Sequence, residues 1–342
     1  MKAIFDDRQW KHDPKHFMAN GVIQPSPEQP ERIARLTHGA RAAGCDLIAP
    51  REAGLGPVAA VHTPEYVTFL RNIHTRWQRI DGGGPEVIPN IHPATRTDGY
   101  PKSAVGQAGY HQADTACPIG AGTWEAAYWS AQVAVTGADL LEQGARAAYA
   151  LCRPPGHHAF ADLAGGFCFL NNAAIAAERL RMAGLRPAIL DVDVHHGNGT
   201  QGIFYDRDDV LTTSIHADPE RFYPFFWGHA QERGEGRGTG YNLNLPLPRK
   251  TGDDDYLKTL DRALERITNF GADAVVVALG LDAYEGDPFQ GLAITTPGFT
   301  RIGAAIAEVG LPTLFVQEGG YLCEELGQNL TATLTGFEGA QA

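Results

Sequence analysis

Pro-Ala-Ile-Leu-Asp-Val-Asp-Val-His-His-Gly-Asn-Gly-Thr, residues 187–200, decides how the rest of the chain is read. Its opening run, 187–194, reads as a buried strand. A period of two throws Asp191, Asp193 and His195 to one side, while Val192 and Val194 face the other. Two carboxylates on one face of a buried strand repel each other and lose hydration, which is costly without a cation or a proton. An Asp/His set of oxygen and nitrogen donors is a natural home for a divalent ion. The plainer reading has Asp191 capping a loop and His195 satisfied in the core; the triplet at a strand end favours the metal.

Four further runs read as buried strands: Ala-Ala-Tyr-Ala-Leu-Cys (147–152), Val-Leu-Thr-Thr-Ser-Ile (210–215), Ala-Val-Val-Val-Ala-Leu (274–279) and Pro-Thr-Leu-Phe-Val (312–316). Helical patterns over 171–183, 253–270 and 298–309 lie between them. This alternation predicts an α/β domain with a mostly parallel central sheet and helices on both faces, spanning 1–342 as one catalytic unit. Ligands of such sheets bind beyond the carboxyl ends of the strands. Residues 81–122 break the rhythm: they are rich in Gly and Pro and show no long helix or strand period. A loop of that length is expected to be functional or an interface element.

Composition narrows the classes of function. With 28 basic against 40 acidic residues the chain repels phosphate backbones and anionic bilayers, so neither nucleic acid nor membrane is an expected partner. A cationic substrate remains admissible. No run approaches the roughly 20 apolar residues that cross a bilayer, and the residues after Met1 are too soon charged for a secretory leader. Five widely spaced cysteines with no CxxC pair argue for reduced thiols, which makes the cytoplasm the expected compartment.

The other strand ends carry the remaining chemistry. Gly280-Leu281-Asp282 follows the run 274–279, and Asp282 can be a third ligand. A lone Asp there is ordinarily a turn or cap residue, so its case rests on Asp193 and His195. Arg153-Pro154-Pro155-Gly156-His157-His158 sets two imidazoles on a stiff loop, suited to proton transfer near neutral pH, although paired histidines are often idle. Glu318-Gly319-Gly320-Tyr321 forms a tight turn whose phenol can donate to an oxyanion, unless it only packs.

Four motifs together, Arg-Pro-Pro-Gly-His-His-Ala (153–159), Gly-Gly-Phe-Cys-Phe-Leu-Asn-Asn-Ala-Ala (165–174), Asp-Val-Asp-Val-His-His-Gly-Asn-Gly-Thr (191–200) and Glu-Gly-Gly-Tyr (318–321), resemble the arginase-deacetylase superfamily. Within it the chain is most similar to the histone deacetylase-like amidohydrolases of the bacterial acetylpolyamine kind. The resemblance runs over nearly the whole chain.

It implies zinc on Asp193, His195 and Asp282, with one position left open, although iron or cobalt would suit the same ligands. It further implies His158 as general base and acid, His157 as its electrostatic partner, and Tyr321 as oxyanion donor. Asp191 and Asn198 orient the two histidines. The same resemblance implies a tunnel with Gly166 and Phe167 on one wall and Tyr223 or Phe225 on the other. The resemblance also implies a structural potassium ion on Asp191, Asp193, His195, Ser214 and Ile215. The inserted loop 72–122 implies a homodimer with a narrowed tunnel mouth. An arginase-type manganese pair is disfavoured because Ala-Tyr-Glu follows Asp282.

Against the same pattern, Phe17 and Val105 stand where relatives place glutamates, Ala19 replaces a tyrosine, and Asp114 alone keeps a mouth carboxylate. Asp6, Asp7 and Glu86 are the other acids in reach of a substitute role. An apolar entrance favours a neutral N-acyl or N-alkyl amide, xenobiotics included, over acetylspermidine. The expected partner is thus a small amide. A protein lysine deacetylase and a non-enzymatic amide- or amine-binding protein are the competing readings.

Overall fold

The computed structural model describes residues 1–96 and 99–340, so two positions of the segment 72–122 and the last two of the chain lie outside the description. The strands are β1 (Lys2–Ile4), β2 (His16–Ala19), β3 (Val22–Pro25), β4 (Asp46–Ile48), β5 (Ala147–Ala150), β6 (Pro187–Asp191), β7 (Leu211–Ala217), β8 (Asn242–Leu247), β9 (Ala274–Leu279) and β10 (Thr313–Gln317). Eight of them form one sheet in the order β4-β1-β5-β10-β9-β6-β7-β8, with every pairing parallel. Parallel neighbours need long crossovers. The helices supply them: α1 (Glu31–Ala42), α2 (Gly56–Ala59), α3 (Pro64–Trp77), α4 (Ala104–His111), α5 (Thr123–Glu142), α6 (Asn172–Met182), α7 (Asn198–Phe204), α8 (Asp253–Phe270), α9 (Thr296–Glu308) and α10 (Leu326–Ala340).

The period of two in the strands sorts the core into two layers. Tyr149, Leu190, Val275, Val277, Leu279 and Phe315 face α1, α8, α9 and α10. Ala148, Ala150, Ile189, Val276, Leu314 and Val316 face α5 and α6. Both faces are dry, which is why these strands read as continuous apolar runs rather than as alternations. One α/β domain results. A third cluster, around Tyr66, Phe69 and Ile73 of α3, lies under the inserted segment.

The structure shifts several expected bounds. Strand β6 ends at Asp191, not at 194, because residues beyond it leave the ladder after Val192 donates to the Ala278 carbonyl at 3.0 Å. The alternation survives outside the ladder, since Val192 and Val194 stay in the core layer. The segment 81–122 is not without regular structure. It contains α4, capped by the Ser103 hydroxyl on the Gly106 amide, and its arms join at the bridge Val87↔Ile119. Residues 72–77 belong to α3 rather than to a loop. Strands β1, β4 and β8 extend the sheet beyond the five expected strands. The hairpin β2–β3 turns at Asn20-Gly21 with φ of 52° and 76°, the left-handed pair that an Asn-Gly hairpin turn requires.

Phe315 sits at the centre of this arrangement, fully buried, with its ring edge-on to Phe337 at 5.0 Å. Phe315→Ala is expected to cost about 3–5 kcal/mol by lost burial and cavity formation. Urea denaturation reads this; a loss below about 1 kcal/mol would show that the layer repacks.

Candidate active site and metal centre

The strand order sets the carboxyl ends of β5, β10, β9 and β6 side by side, and each end leads into one part of the site. Asp193 and His195 follow β6, Asp282 follows β9, His157 and His158 follow β5, and Tyr321 follows β10. All six are buried. Residues up to 164 positions apart therefore meet because of sheet topology, not sequence proximity.

His195 Nδ1 lies 3.1 Å from Asp193 Oδ1 and 3.2 Å from Asp282 Oδ2. Backbone amides brace the carboxylates: Gly319 donates to Asp193 Oδ2 at 2.8 Å, and Val194 donates to Asp282 Oδ1 at 3.0 Å. Burial and the neighbouring Asp193 push the Asp282 carboxyl upward. Burial alone would depress the His195 imidazole, but its bonds to Asp193 and Asp282 outweigh this and raise it to about 9. A buried imidazole that grips a proton so firmly marks uncompensated negative charge. The donor set, two carboxylates and one imidazole whose ligand atoms lie within 4.8 Å of one another, fits a divalent ion in place of that proton. Glycines leave room for it, since a Cβ on Gly280 would overlap Asp193 and one on Gly319 would overlap both carboxylates.

The two histidines differ in what holds them. His157 Nδ1 is 2.9 Å from Asp191 Oδ2, whereas His158 Nδ1 is 2.7 Å from Asn198 Oδ1. Burial disfavours a charge on His157, but Asp191 and Asp193 overcome it and hold the ring protonated. Burial, His157 and His195 together press His158 well below the ordinary histidine value. The amide oxygen of Asn198 assigns the proton to Nδ1 and leaves Nε2 of His158 free to accept one. The imidazole centroids lie 4.0 Å apart with the ring planes tilted by 44°, so the cation on His157 lies beside the neutral ring of His158.

Tyr321 is 3% exposed, and burial, with Asp282 nearby, keeps its phenol well above its usual value and hence a donor. Its backbone amide is held by Asp287 Oδ2 at 3.0 Å. Phe167 lies edge-on to Tyr321 at 5.8 Å, on a turn where Gly166 and Phe167 have φ of 51° and 70°. Of the two candidates for the facing wall, Tyr223 takes the place, with its ring 4.9 Å from His158; Phe225 lies further out, 6.3 Å from Tyr223 and half exposed. Phe17 on β2 reaches the same wall, edge-on to Phe167 at 5.9 Å.

Val105 is not brought to these aromatics. It is half-buried on α4 against the Tyr66–Phe69 cluster. Asp114 is in the site but engaged: its carboxylate accepts from Tyr223, Gly166 and Ala116. Asp6 pairs with Arg8, Asp7 is exposed, and Glu86 lies against the hairpin, accepting from the Lys15 amide at 2.9 Å. Of the residues read as a potassium site, Asp191 and Ser214 are opposed across β6 and β7, and Ser214 Oγ is 2.8 Å from His216 Nδ1.

Sequence reasoning missed three contributors. Phe289 stands 4.7 Å from Tyr321, 5.3 Å from His195 and 6.5 Å from Phe167, so it adds a further ring to this aromatic wall. Its signal was the Gly-Asp-Pro-Phe turn (286–289) just beyond Asp282. Phe222 stacks on His195 at 5.0 Å. Glu318, fully buried, accepts from the Gly156 and His157 amides at 2.6 and 3.0 Å and so sets the height of the histidine loop. With Cys168 and His157 it forms a second close cluster of ligand-type groups. Those two backbone bonds account for its place there.

The crowding of Gly319 is testable. Gly319→Ala is expected to displace the Asp193 and Asp282 carboxylates and reduce bound divalent metal at least tenfold, with the far-ultraviolet circular dichroism unchanged. Full metal content in the folded variant would show that the ligands do not converge here.

Residues 26–337 match the model of the histone deacetylase domain. The chain is 46% identical to an acetylpolyamine amidohydrolase of Burkholderia pseudomallei over 338 residues, covering 98% of each chain. It is 45% identical to acetylpolyamine amidohydrolase 1 of Pseudomonas aeruginosa, covering 99% of each. A crystal structure of acetylpolyamine aminohydrolase from Burkholderia pseudomallei superposes with a TM-score of 0.97 at 46% identity, covering 99% of both chains. By its sequence and its fold, the chain belongs to the histone deacetylase family and is similar along its full length to the acetylpolyamine amidohydrolases.

Proposed function

We propose that the chain is a zinc-dependent amidohydrolase that removes a short acyl group, acetyl foremost, from a small linear amine. The observation that carries this reading is the convergence of Asp193, His195 and Asp282 beside His158 and Tyr321 at the base of an aromatic tunnel. Zinc bound by these three side chains would polarise the amide carbonyl and lower the pKa of a water molecule.

The chain's own groups supply the rest. His158 Nε2 takes a proton from the attacking water and returns it to the departing amine nitrogen. His157, kept cationic by Asp191, opposes a lasting second charge on His158 and so favours that return. Tyr321 donates its hydroxyl to the carbonyl oxygen as that atom gains charge. Phe167, Phe289 and Tyr223 exclude water and admit a slender chain. The potassium ion on the Asp191–Ser214 corner and a homodimer built on the segment 72–122 belong to the same reading.

Relatives named for acetylpolyamines support an N-acetylated amine as substrate. The mouth favours a neutral variant of that class. Phe17 places an aromatic ring on the wall, and Met18 and Ile23 of the same hairpin are exposed. The overall charge of −12 draws cations toward the surface, but attraction at a distance raises encounter more than it fixes a bound pose. A screen of acetylputrescine, acetylspermidine, acetyl-lysine peptides of rising length and neutral N-acetylalkylamines tests the class. Hydrolysis confined to folded acetylated protein would favour the lysine deacetylase reading; binding without hydrolysis would favour the non-enzymatic one.

Tyr321→Phe removes a donor that acts only as charge develops. It is expected to lower kcat by about 10²–10³ with little change in KM. Near-normal turnover would remove Tyr321 from the reaction.

A further inference from the structure

Asp114 is the carboxylate that the sequence leaves at the tunnel mouth, and the fold occupies it. The Tyr223 hydroxyl donates to Oδ2 at 2.7 Å, the Gly166 amide donates to the same oxygen at 3.1 Å, and the Ala116 amide donates to Oδ1 at 2.8 Å. A carboxylate offers about four acceptor positions. Both on Oδ2 and one on Oδ1 are therefore taken. The charge remains, but only one position, on Oδ1, is left from which an ammonium could form a short hydrogen bond.

Tyr223 links this carboxylate to the catalytic floor. Its ring stands perpendicular to His158, at 89° and 4.9 Å, and lies 6.1 Å from His195. The Gly165-Gly166 turn passes between the parts. A Cβ on Gly165 would lie 3.5 Å from both Asp114 Oδ2 and the Tyr223 hydroxyl, and one on Gly166 would lie 2.9 Å from that hydroxyl and overlap His158. Turn, phenol, carboxylate and imidazole thus form one contact chain. A phenylalanine could fill the same wall, so the hydroxyl's distinct effect is on Asp114.

We infer that Tyr223 is a specificity-determining residue: by donating its hydroxyl to Asp114 it withdraws the mouth carboxylate from a distal ammonium and biases the tunnel toward uncharged N-acyl amines. The inference rests on the amidohydrolase reading above and deepens it. It also explains how a carboxylate can persist at the mouth of a tunnel whose other rim residue, Phe17, is apolar.

Tyr223→Phe keeps the ring against His158 and frees one position on Oδ2. The test compares kcat/KM for acetylspermidine with that for a neutral N-acetylalkylamine of equal length, at fixed salt, in the unmodified enzyme and the variant. The ratio is expected to rise about tenfold toward acetylspermidine, chiefly through KM, and to fall back as ionic strength is raised. Adding Asp114→Asn to Tyr223→Phe should abolish the gain, because the charge it depends on is gone. An unchanged ratio in Tyr223→Phe, including an equal loss on both substrates, would overturn the inference and leave Tyr223 a wall residue. A gain that persists in the double variant would overturn it too. Hydrolysis of neither amide by the unmodified enzyme would instead overturn the function itself, and this specificity with it.

Discussion

Two buried carboxylates, Asp193 and Asp282, converge on one nitrogen of His195, and the surrounding structure serves to hold that unfavourable arrangement in place. Charges brought this close in a dry interior are tolerated only with a cation and with hydrogen bonds to their remaining lone pairs. The backbone provides those bonds, from Gly319, Val194 and His195. Three different strand ends contribute, so the centre forms only when β6, β9 and β10 are paired in register.

A second buried charge network stiffens the turn that carries Tyr321. Arg32 donates to the Gly320 and Glu318 carbonyls at 2.6 Å each and to Glu28 at 2.7 Å, while Arg153 donates to the same Glu28 oxygen at 2.8 Å. Removing one member of such a network strands a charge, at a cost of about 3–5 kcal/mol. Glu318 then joins this turn to the histidine loop through the Gly156 and His157 amides. Tyr321 and His158 are thus fixed relative to each other by buried side chains that grip the backbone of both loops.

Much of this was legible because the strands are buried on both faces and their chemistry sits just past their ends. The run 274–279 and the helix 253–270 fall where periodicity placed them, and Asp193, His195, His157, His158, Asp282 and Tyr321 come together as their strand ends meet. Legibility failed where local signals were weak or the cause was distant. Strands β1 and β4 are three residues each, and β8 carries two asparagines and Pro246, which its edge position tolerates. Helix α4 was hidden by Gly106 and Gly109; the latter presses on the Ile91 carbonyl, where a Cβ would overlap it. Phe289 carries only the weak signal of its Gly-Asp-Pro-Phe turn, and Val105 turns to the α3 cluster because α4 is a helix rather than an open loop. Asp114 was legible as a carboxylate, but its partners, and hence its availability, depend on Tyr223, 109 positions away.

The most direct measurement of the central claim is metal reconstitution. Protein stripped with a chelator is titrated with zinc while hydrolysis of an N-acetylated amine and bound metal are followed together. The account predicts that activity is absent at the start, rises linearly with zinc, and saturates as one ion per chain fills the Asp193–His195–Asp282 centre. Undiminished hydrolysis by the metal-free protein, or activity that does not follow occupancy of that centre, would contradict it.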